Sequence, residues 1–158
     1  MSHCQLVCQL VIFDLDSTLI HSILHNMPPH SIAVIKSVRQ LNMKTALATL
    51  NPMGNAYIAL KSYTHLFDSV KSKSWRDYYA RYNTSKINMY ADICAELNVP
   101  PSQTLVLDDL QSNLNVAEQL GMKTLLISPA TLVTWMDILL GLSLFDDDPN
   151  PITYLNCY

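Results

Sequence analysis

The chain has 158 residues, of which 49% are hydrophobic and 15% are charged, as is typical of one folded globular domain and not of a disordered segment. Its formal net charge of −3 excludes a global basic field that would draw the protein onto nucleic acid or an anionic membrane. The four cysteines have no paired spacing of the metal-binding kind, which favours reduced thiols and predicts a cytoplasmic protein.

Strand-like and helix-like stretches alternate along the chain. The pattern predicts short strands over residues 10–14, 45–50, 66–70, 104–109 and 123–128. It predicts helices over residues 30–42, 51–63, 83–99 and 111–120, followed by a last apolar helix. Asn51 is expected to cap the second helix, with Pro52 at its first position. This order predicts a parallel sheet with helices on both faces, an α/β sandwich.

Neither end of the chain predicts a membrane segment. The N-terminal apolar run lacks a basic region before it and is broken by Asp14, so no secretory signal is expected. The late apolar segment 132–145 is too short to span a bilayer and contains Asp137. We interpret this segment as a buried helix, with a homodimer contact as the alternative. Residues 1–145 are assigned to one core domain, and 146–158 to a short acidic C-terminal tail.

Acids and a hydroxyl lie where the predicted strands end. They are Asp14 and Asp16 after the first strand, Thr49 near the end of the second, and Asp108 and Asp109 at the end of the fourth. Parallel sheets bind their ligands at the carboxyl ends of the strands. Four acids at one edge repel one another, and a hard divalent cation such as Mg²⁺ relieves that repulsion. The sequence therefore predicts a metal site that also binds an anion.

Four short motifs resemble those of the haloacid dehalogenase (HAD) superfamily and follow the same order. "DLDST" (14–18) resembles the first motif, DxDx[TV], and "LATLN" (47–51) is similar to the second. Lys86 resembles the third motif, and "LVLDDLQSN" (105–113) the fourth. The resemblance implies a Rossmann-like three-layer α/β/α sandwich around a central parallel sheet.

The resemblance implies a catalytic role for each motif residue. Asp14 would attack phosphorus and become an aspartyl phosphate, and Asp16 would act first as acid and then as base. Thr49 and Lys86 would hold the phosphoryl oxygens, and Thr18, assigned to the same phosphate-binding group, would orient Asp16. Family members without the second carboxylate follow other chemistries, such as dehalogenation. The presence of Asp16 therefore points to a phosphatase.

The resemblance also implies Mg²⁺ as the cofactor. Its ligands would be the Asp14 carboxylate, the main-chain carbonyl of Asp16 and the acids of the fourth motif. Asp109 is favoured as the direct ligand and Asp108 as the outer one. Asn113 would orient the loop that carries both.

The motif spacing leaves little room for a cap domain. Residues 18–49 can hold a flap and one helix, and residues 49–86 are nearly as few. The chain therefore resembles the capless magnesium-dependent phosphatases, whose open crevice suits a bulky substrate such as a phosphoprotein. The alternatives are a 3′-phosphatase acting on nucleic-acid ends, which the net acidity disfavours, a phosphatase of a small metabolite, and a catalytically silent binding module with the same fold.

Segment 71–86 interleaves basic and aromatic residues, namely Lys71, Lys73, Arg76, Arg81 and Lys86 with Trp75, Tyr78, Tyr79 and Tyr82. Such a mixture can stack bases and hold phosphates. The alternative is a solvated face anchored by its tyrosines. If the segment lies beside the crevice, it is the best candidate for substrate selection.

Other classes of site are disfavoured. The sequence has no Gly-rich phosphate loop and no dinucleotide fingerprint. The response-regulator class is excluded because its acid pair comes first in the chain, whereas the pair 108–109 comes last. His21, His25 and His30 could form a metal trio, but loop polar residues are the preferred interpretation.

Overall fold

The computed structural model describes residues 6–22, 24–82 and 84–146. Five strands form one sheet: β1 (Leu10–Phe13), β2 (Lys44–Pro52), β3 (Ser69–Lys73), β4 (Thr104–Asp108) and β5 (Lys123–Leu126). Six α-helices lie within these ranges: α1 (Pro29–Gln40), α2 (Met53–Leu60), α3 (Trp75–Ala80), α4 (Ile87–Leu97), α5 (Gln111–Gln119) and α6 (Trp135–Ser143). Two 3₁₀-helices span Lys61–Leu66 and Pro101–Gln103.

The sheet is parallel throughout, with strand order β3-β2-β1-β4-β5. β1 lies at its centre, where Leu10 is opposite Lys44 of β2 and Thr104 of β4. The chain builds outward from β1 to β3 and then crosses back to place β4 on the other side of β1. The carboxyl ends of β1 and β4 therefore flank the switch in strand order, the position where such sheets form their ligand crevice.

Hydrophobic cores lie on both faces of the sheet. Every residue of β1 is buried, because a central parallel strand is covered on both sides. Val11 and Phe13 belong to the core shared with α1, α2 and α6, and Leu10 and Ile12 to the core shared with α4 and α5. The predicted fold class, a Rossmann-like α/β/α sandwich, is confirmed.

The second predicted helix begins later than expected. β2 continues as far as Pro52, which pairs with Lys73 of β3, and α2 begins at Met53 without a side-chain cap. The prediction that Asn51 caps this helix is wrong, because its side-chain amide donates to the Asp16 carboxylate instead. The following strand also begins later, at Ser69, because a 3₁₀-helix occupies the preceding residues.

The segment before Lys86 contains a helix that our sequence analysis did not predict. Ser74 caps α3 through its hydroxyl, which accepts a hydrogen bond from the Asp77 amide at 3.1 Å. Arg81 ends the helix in the left-handed region, with φ of 57°. The predicted helix 83–99 is confirmed only from Ile87 onward, and its first residue, Asn83, lies outside the described residues.

The connections between strands are short. Among the described residues, α1 is the only helix between β1 and β2, and no second domain is inserted before or after β2. As predicted, α6 is a buried helix, with Ile138, Leu139 and Leu142 in the core. No helix in the described part of the chain is both long and apolar enough to cross a membrane. The homodimer contact and the boundary at residue 146 stay predictions, and residues 147–158 lie outside the described residues.

Candidate active site

A tight turn after β1 carries the first pair of acids. The Asp14 amide extends the sheet by donating to the Leu107 carbonyl at 2.9 Å. The chain then reverses around the Leu15 carbonyl, which accepts from the amides of Thr18, Leu19 and Ile20 at 2.9–3.3 Å. Ser17 adopts a left-handed φ of 60°, a conformation that favours a small residue. The turn places both Asp14 and Asp16 on the lining of the crevice.

Lys86 joins the acids of two strands. Its ammonium nitrogen lies 2.8 Å from Asp14 Oδ1 and 2.8 Å from Asp108 Oδ2. The residue precedes α4 directly and is buried, as are both of its partners. Three motifs that are far apart in the chain therefore meet in one buried cluster of charges.

Asp108 is fully engaged by the protein. Its Oδ1 accepts from the Leu110 amide at 2.9 Å, and its Oδ2 accepts from the Asn113 side chain at 3.0 Å as well as from Lys86. Asn113, in the first turn of α5, thus links the end of the fourth motif to its middle by its contact with Asp108. These bonds hold the β4–α5 loop and with it the neighbouring Asp109.

The structure corrects the expected contact of Thr18. Its hydroxyl donates to Asp14 Oδ2 at 3.3 Å and does not reach Asp16. Thr18 is buried. Its main-chain carbonyl accepts a hydrogen bond from the Val133 amide at 2.8 Å, which ties the turn to the segment before α6. Asp16 is instead contacted by the side-chain amide of Asn51. We missed Asn51 as a site residue, although it is the last residue of the second motif.

Thr49 offers a hydroxyl to the crevice. The side chain is buried, and its oxygen accepts a hydrogen bond from the main-chain amide of Asn51 at 3.1 Å. A hydroxyl oxygen that accepts one bond keeps its own hydrogen free to donate to another group. Thr49 lines the same crevice as Asp14 and Lys86, so the hydroxyl can donate to an anion held there.

Three of the acids are arranged as oxygen ligands for a metal. Asp14, Asp108 and Asp109 each bring a carboxylate oxygen within 4.8 Å of the others. Among the described residues, Lys86 is the only cationic side chain within ion-pair distance of them. Three carboxylates thus face one lysine, and a group of oxygen ligands with excess negative charge fits Mg²⁺. Because Asp108 already accepts three bonds, Asp14 and Asp109 are the better placed to hold it.

The same charge imbalance shifts the acidities of the site. The pKa of Asp14 is raised to about 8, because burial and, to a lesser degree, the charge of Asp108 outweigh the attraction of Lys86. Burial also raises the pKa of Asp16 and of Asp109. Burial alone would lower the pKa of Lys86, but the attraction of Asp14 and Asp108 raises it above its ordinary value. Lys86 therefore keeps its proton, while burial favours the neutral form of Asp14 near neutral pH until another cation arrives.

A crevice of about 260 Å³ opens above these groups. Its lining includes Asp14, Asp16, Thr49, Lys86 and Asp109, together with the more exposed Tyr78 and Leu110. Tyr78 belongs to the basic and aromatic segment 71–86, so that segment does border the crevice. An anion of the size of a phosphoryl group can reach Asp14, Thr49 and Lys86 together.

The three histidines do not form a metal site. The rings of His21 and His25 lie edge to face at 6.5 Å, and His25 Nδ1 is 2.8 Å from the Ser22 hydroxyl. His30 lies on α1, beside a different cavity. In the part of the chain that the structure describes, the acids are the only cluster of three metal-ligating groups.

The fold and the site can be compared with known proteins. No family model matches the sequence, and no curated protein has significant similarity to it. Solved structures do match. A haloacid dehalogenase-like hydrolase family protein from Streptococcus pneumoniae has a TM-score of 0.64 at 14% identity, over 95% of this chain and 98% of its own.

Two further similar structures contain ligands. A HAD family enzyme from Bacteroides thetaiotaomicron, in complex with magnesium and inorganic phosphate, has a TM-score of 0.60 at 10% identity, over 77% of this chain and 95% of its own. CbbY from Rhodobacter sphaeroides, in complex with phosphate, has a TM-score of 0.62 at 14% identity, over 77% of this chain and 86% of its own. The chain therefore has the fold found in HAD-family proteins.

Proposed function

We propose that the protein is a HAD-type phosphatase of the capless, magnesium-dependent kind, which hydrolyses phosphomonoesters through an aspartyl phosphate. The observation that carries this proposal is the buried bridge of Lys86 between Asp14 and Asp108, with both distances 2.8 Å. A lysine in this position orients a carboxylate nucleophile and attracts the anion that it attacks. The bound magnesium and phosphate in similar structures support the same chemistry.

The first half of the proposed reaction transfers the phosphoryl group. A carboxylate oxygen of Asp14 attacks phosphorus, and the bond from phosphorus to the leaving oxygen breaks. Asp16 donates its proton to that oxygen, so the alcohol leaves neutral. Lys86 and Thr49 hold the phosphoryl oxygens during the transfer. Mg²⁺, held by Asp14, Asp109 and the Asp16 carbonyl, would supply positive charge that keeps Asp14 ionised and offsets the charge of the phosphoryl group.

The second half of the proposed reaction restores the enzyme. Asp16, now ionised, accepts a proton from a water molecule as that water attacks the phosphorus of the aspartyl phosphate. The bond from phosphorus to Asp14 breaks, and inorganic phosphate leaves. The environment of Asp16 suits both roles. Partial burial raises its pKa, which favours the protonated form that acts as the acid. The side-chain amide of Asn51 holds one carboxylate oxygen in place.

The substrate that we propose is a bulky phosphorylated molecule such as a phosphoprotein. The crevice opens to the surface, and no second domain covers it among the described residues. A phosphate carried on a folded or extended protein can therefore approach Asp14 directly. The catalytically silent binding module is less favoured, because the sequence retains every motif residue that hydrolysis would need.

The decisive test is hydrolysis of 4-nitrophenyl phosphate by the wild type and by Asp14→Asn, each with Mg²⁺ and with a chelator. We expect activity only in the wild type with Mg²⁺. Asp92→Asn is the matched control, because Asp92 is exposed on α4 away from the crevice. It should keep full activity. Activity that survives Asp14→Asn would contradict the covalent mechanism, and inactivity of the wild type would favour the binding module.

A further inference from the structure

Helix α3 carries an exposed cluster of aromatic side chains, formed by Trp75, Tyr78 and Tyr79. The rings of Trp75 and Tyr79 are stacked at 5.7 Å, and Tyr78 meets both edge to face at 5.5–5.9 Å. None of the residues of α3 is buried, and the three side chains are 44–76% exposed. Three adjoining rings with no core behind them form an apolar patch of the kind that marks a binding surface.

The aromatic cluster lies at the rim of the crevice. Tyr78 lines the cavity that also contains Asp14 and Lys86. On its other side the cluster faces α2, because the indole nitrogen of Trp75 is 3.8 Å from the point that a Cβ on Gly54 would occupy. A group attached to a phosphate in the crevice would therefore pass directly beside the rings.

Most of the basic residues in the same segment are not available to bind a second anion. Lys71 pairs with Glu96 at 2.7 Å, Lys73 is buried, and Lys86 belongs to the charge cluster of the crevice. Of the five, Arg76 and Arg81 are exposed. A nucleic-acid strand needs a row of cations for its successive phosphates. The segment offers rings beside the crevice and few free cations.

We propose that the aromatic cluster binds the planar ring of an aryl phosphomonoester and thereby selects substrates whose leaving group is aromatic. The proposal rests on the proposed phosphatase function and adds its substrate class. In an aryl phosphate the ring is attached directly to the bridging oxygen. Since Tyr78 and Asp14 line the same crevice, we expect that ring to meet Tyr78 when the phosphoryl group contacts Asp14. In a nucleotide, a sugar separates the base from the phosphate.

The experiment compares two non-hydrolysable phosphonates by NMR titration in the presence of Mg²⁺. Phenylphosphonate and cyclohexylphosphonate have similar bulk and charge, but only the first has a planar π face. We expect the wild type to bind phenylphosphonate about three- to tenfold more tightly, as stacking and edge-to-face contacts allow. Tyr78→Leu should bring this ratio close to one, because leucine keeps apolar area but has no ring.

Two further variants separate the ring from other effects. Tyr78→Phe should keep the preference, since the hydroxyl is not required. Tyr57→Leu is the matched control, because Tyr57 is also an exposed tyrosine on a helix but does not line the crevice. It should keep the wild-type ratio. Thermal unfolding of each variant checks that the fold is retained.

The outcomes distinguish this proposal from the function on which it rests. If inorganic phosphate binds but the wild type does not distinguish the two phosphonates, the aromatic cluster has no such role and the phosphatase stands. The same conclusion follows if the preference survives Tyr78→Leu. Tighter binding of adenosine 3′-monophosphate than of phenylphosphonate would overturn the proposal in favour of nucleic-acid ends. Failure of inorganic phosphate to bind with Mg²⁺ would overturn both.

Discussion

Two neighbouring regions of the crevice are built in opposite ways. The floor, formed by Asp14 and Lys86 with Asp108 behind them, is buried and joined by ion pairs of 2.8 Å. The rim, to which α3 contributes Tyr78, is exposed, since α3 contains no buried residue and its rings pack on one another. The first arrangement fixes charged groups in position, whereas the second presents a surface that can change without disturbing the core. We infer that reaction chemistry and substrate selection are separated in this way.

The difference also concerns stability. Buried charges are costly unless every partner is present, so the floor tolerates few substitutions. Exposed side chains contribute little to folding, so the rim tolerates many. The following predictions test this contrast, beginning with the largest expected effect.

The largest effect is expected from Lys86→Met, which leaves Asp108 and Asp14 buried without their cation. Loss of one partner of a buried ion pair typically costs about 3–5 kcal/mol. Chemical denaturation should show a loss of this size. The matched control is Lys71→Met, because the ion pair of Lys71 with Glu96 is just as short but about one third to one half exposed. It should cost far less than Lys86→Met, because water screens an exposed ion pair. Equal losses would contradict the contrast.

A second effect concerns Asp14→Asn in the metal-free protein. Burial raises the pKa of Asp14 from its ordinary value to about 8 in the folded state. Between about pH 4 and pH 8 the unfolded chain therefore releases a proton that the folded chain retains, and stability falls as pH rises. Asp14→Asn removes this dependence. At pH 8, in chelator, its Tm should exceed that of the wild type, by about 2–4 °C for each kcal/mol of stability gained in a chain of this size.

The same difference in Tm should shrink toward pH 4, where the Asp14 carboxyl is neutral in both states. Mg²⁺ should raise the Tm of the wild type at pH 8 and leave Asp14→Asn nearly unchanged, because a metal stabilises the state that binds it. The control Asp92→Asn should follow the wild type at each pH. A Tm difference that is independent of pH would show that Asp14 does not titrate in this range.

A third comparison uses two helical glycines. A Cβ on Gly141 of α6 would lie 2.5 Å from Leu105 Cδ2, within the buried core under β4. A Cβ on Gly54 would meet the Trp75 indole at an ordinary 3.8 Å. We expect Gly141→Ala to cost about 1–2 kcal/mol through overpacking. Gly54→Ala should be neutral or slightly stabilising, because alanine favours the helix. Denaturation curves of the pair measure both.

The smallest effect is expected on the rim itself. Tyr79→Ser removes the most exposed ring of the aromatic cluster. Because no core residue loses a contact there, the free energy of unfolding should change by less than about 0.5 kcal/mol. A loss above 1 kcal/mol would mean that α3 is part of the folding unit and not a separable surface. Tyr57→Ser on α2 provides a reference for an exposed tyrosine elsewhere.

Several features could be predicted from the sequence because they depend on local pattern. Buried apolar runs alternating with amphipathic segments determine a parallel sheet covered on both faces, since each element must bury its apolar side. The placement of Asp14, Asp108 and Thr49 at strand ends follows from the same pattern, because parallel strands end at one edge. The family resemblance rests on these residues and on Lys86, whose place beside them could not be derived from periodicity.

Only the tertiary structure decided which groups touch. Asn51 contacts Asp16, and Thr18 contacts Asp14, because side-chain partners depend on the exact turn after β1 and on where β2 ends. The short helix α3 could have been predicted from its spacing, because its three aromatic residues lie at i, i+3 and i+4 after the capping Ser74. Only the structure shows that these rings pack on one another at the edge of the crevice. Sequence alone thus determines the fold and its functional edge, while packing across the sheet determines the contacts that give each site residue its role.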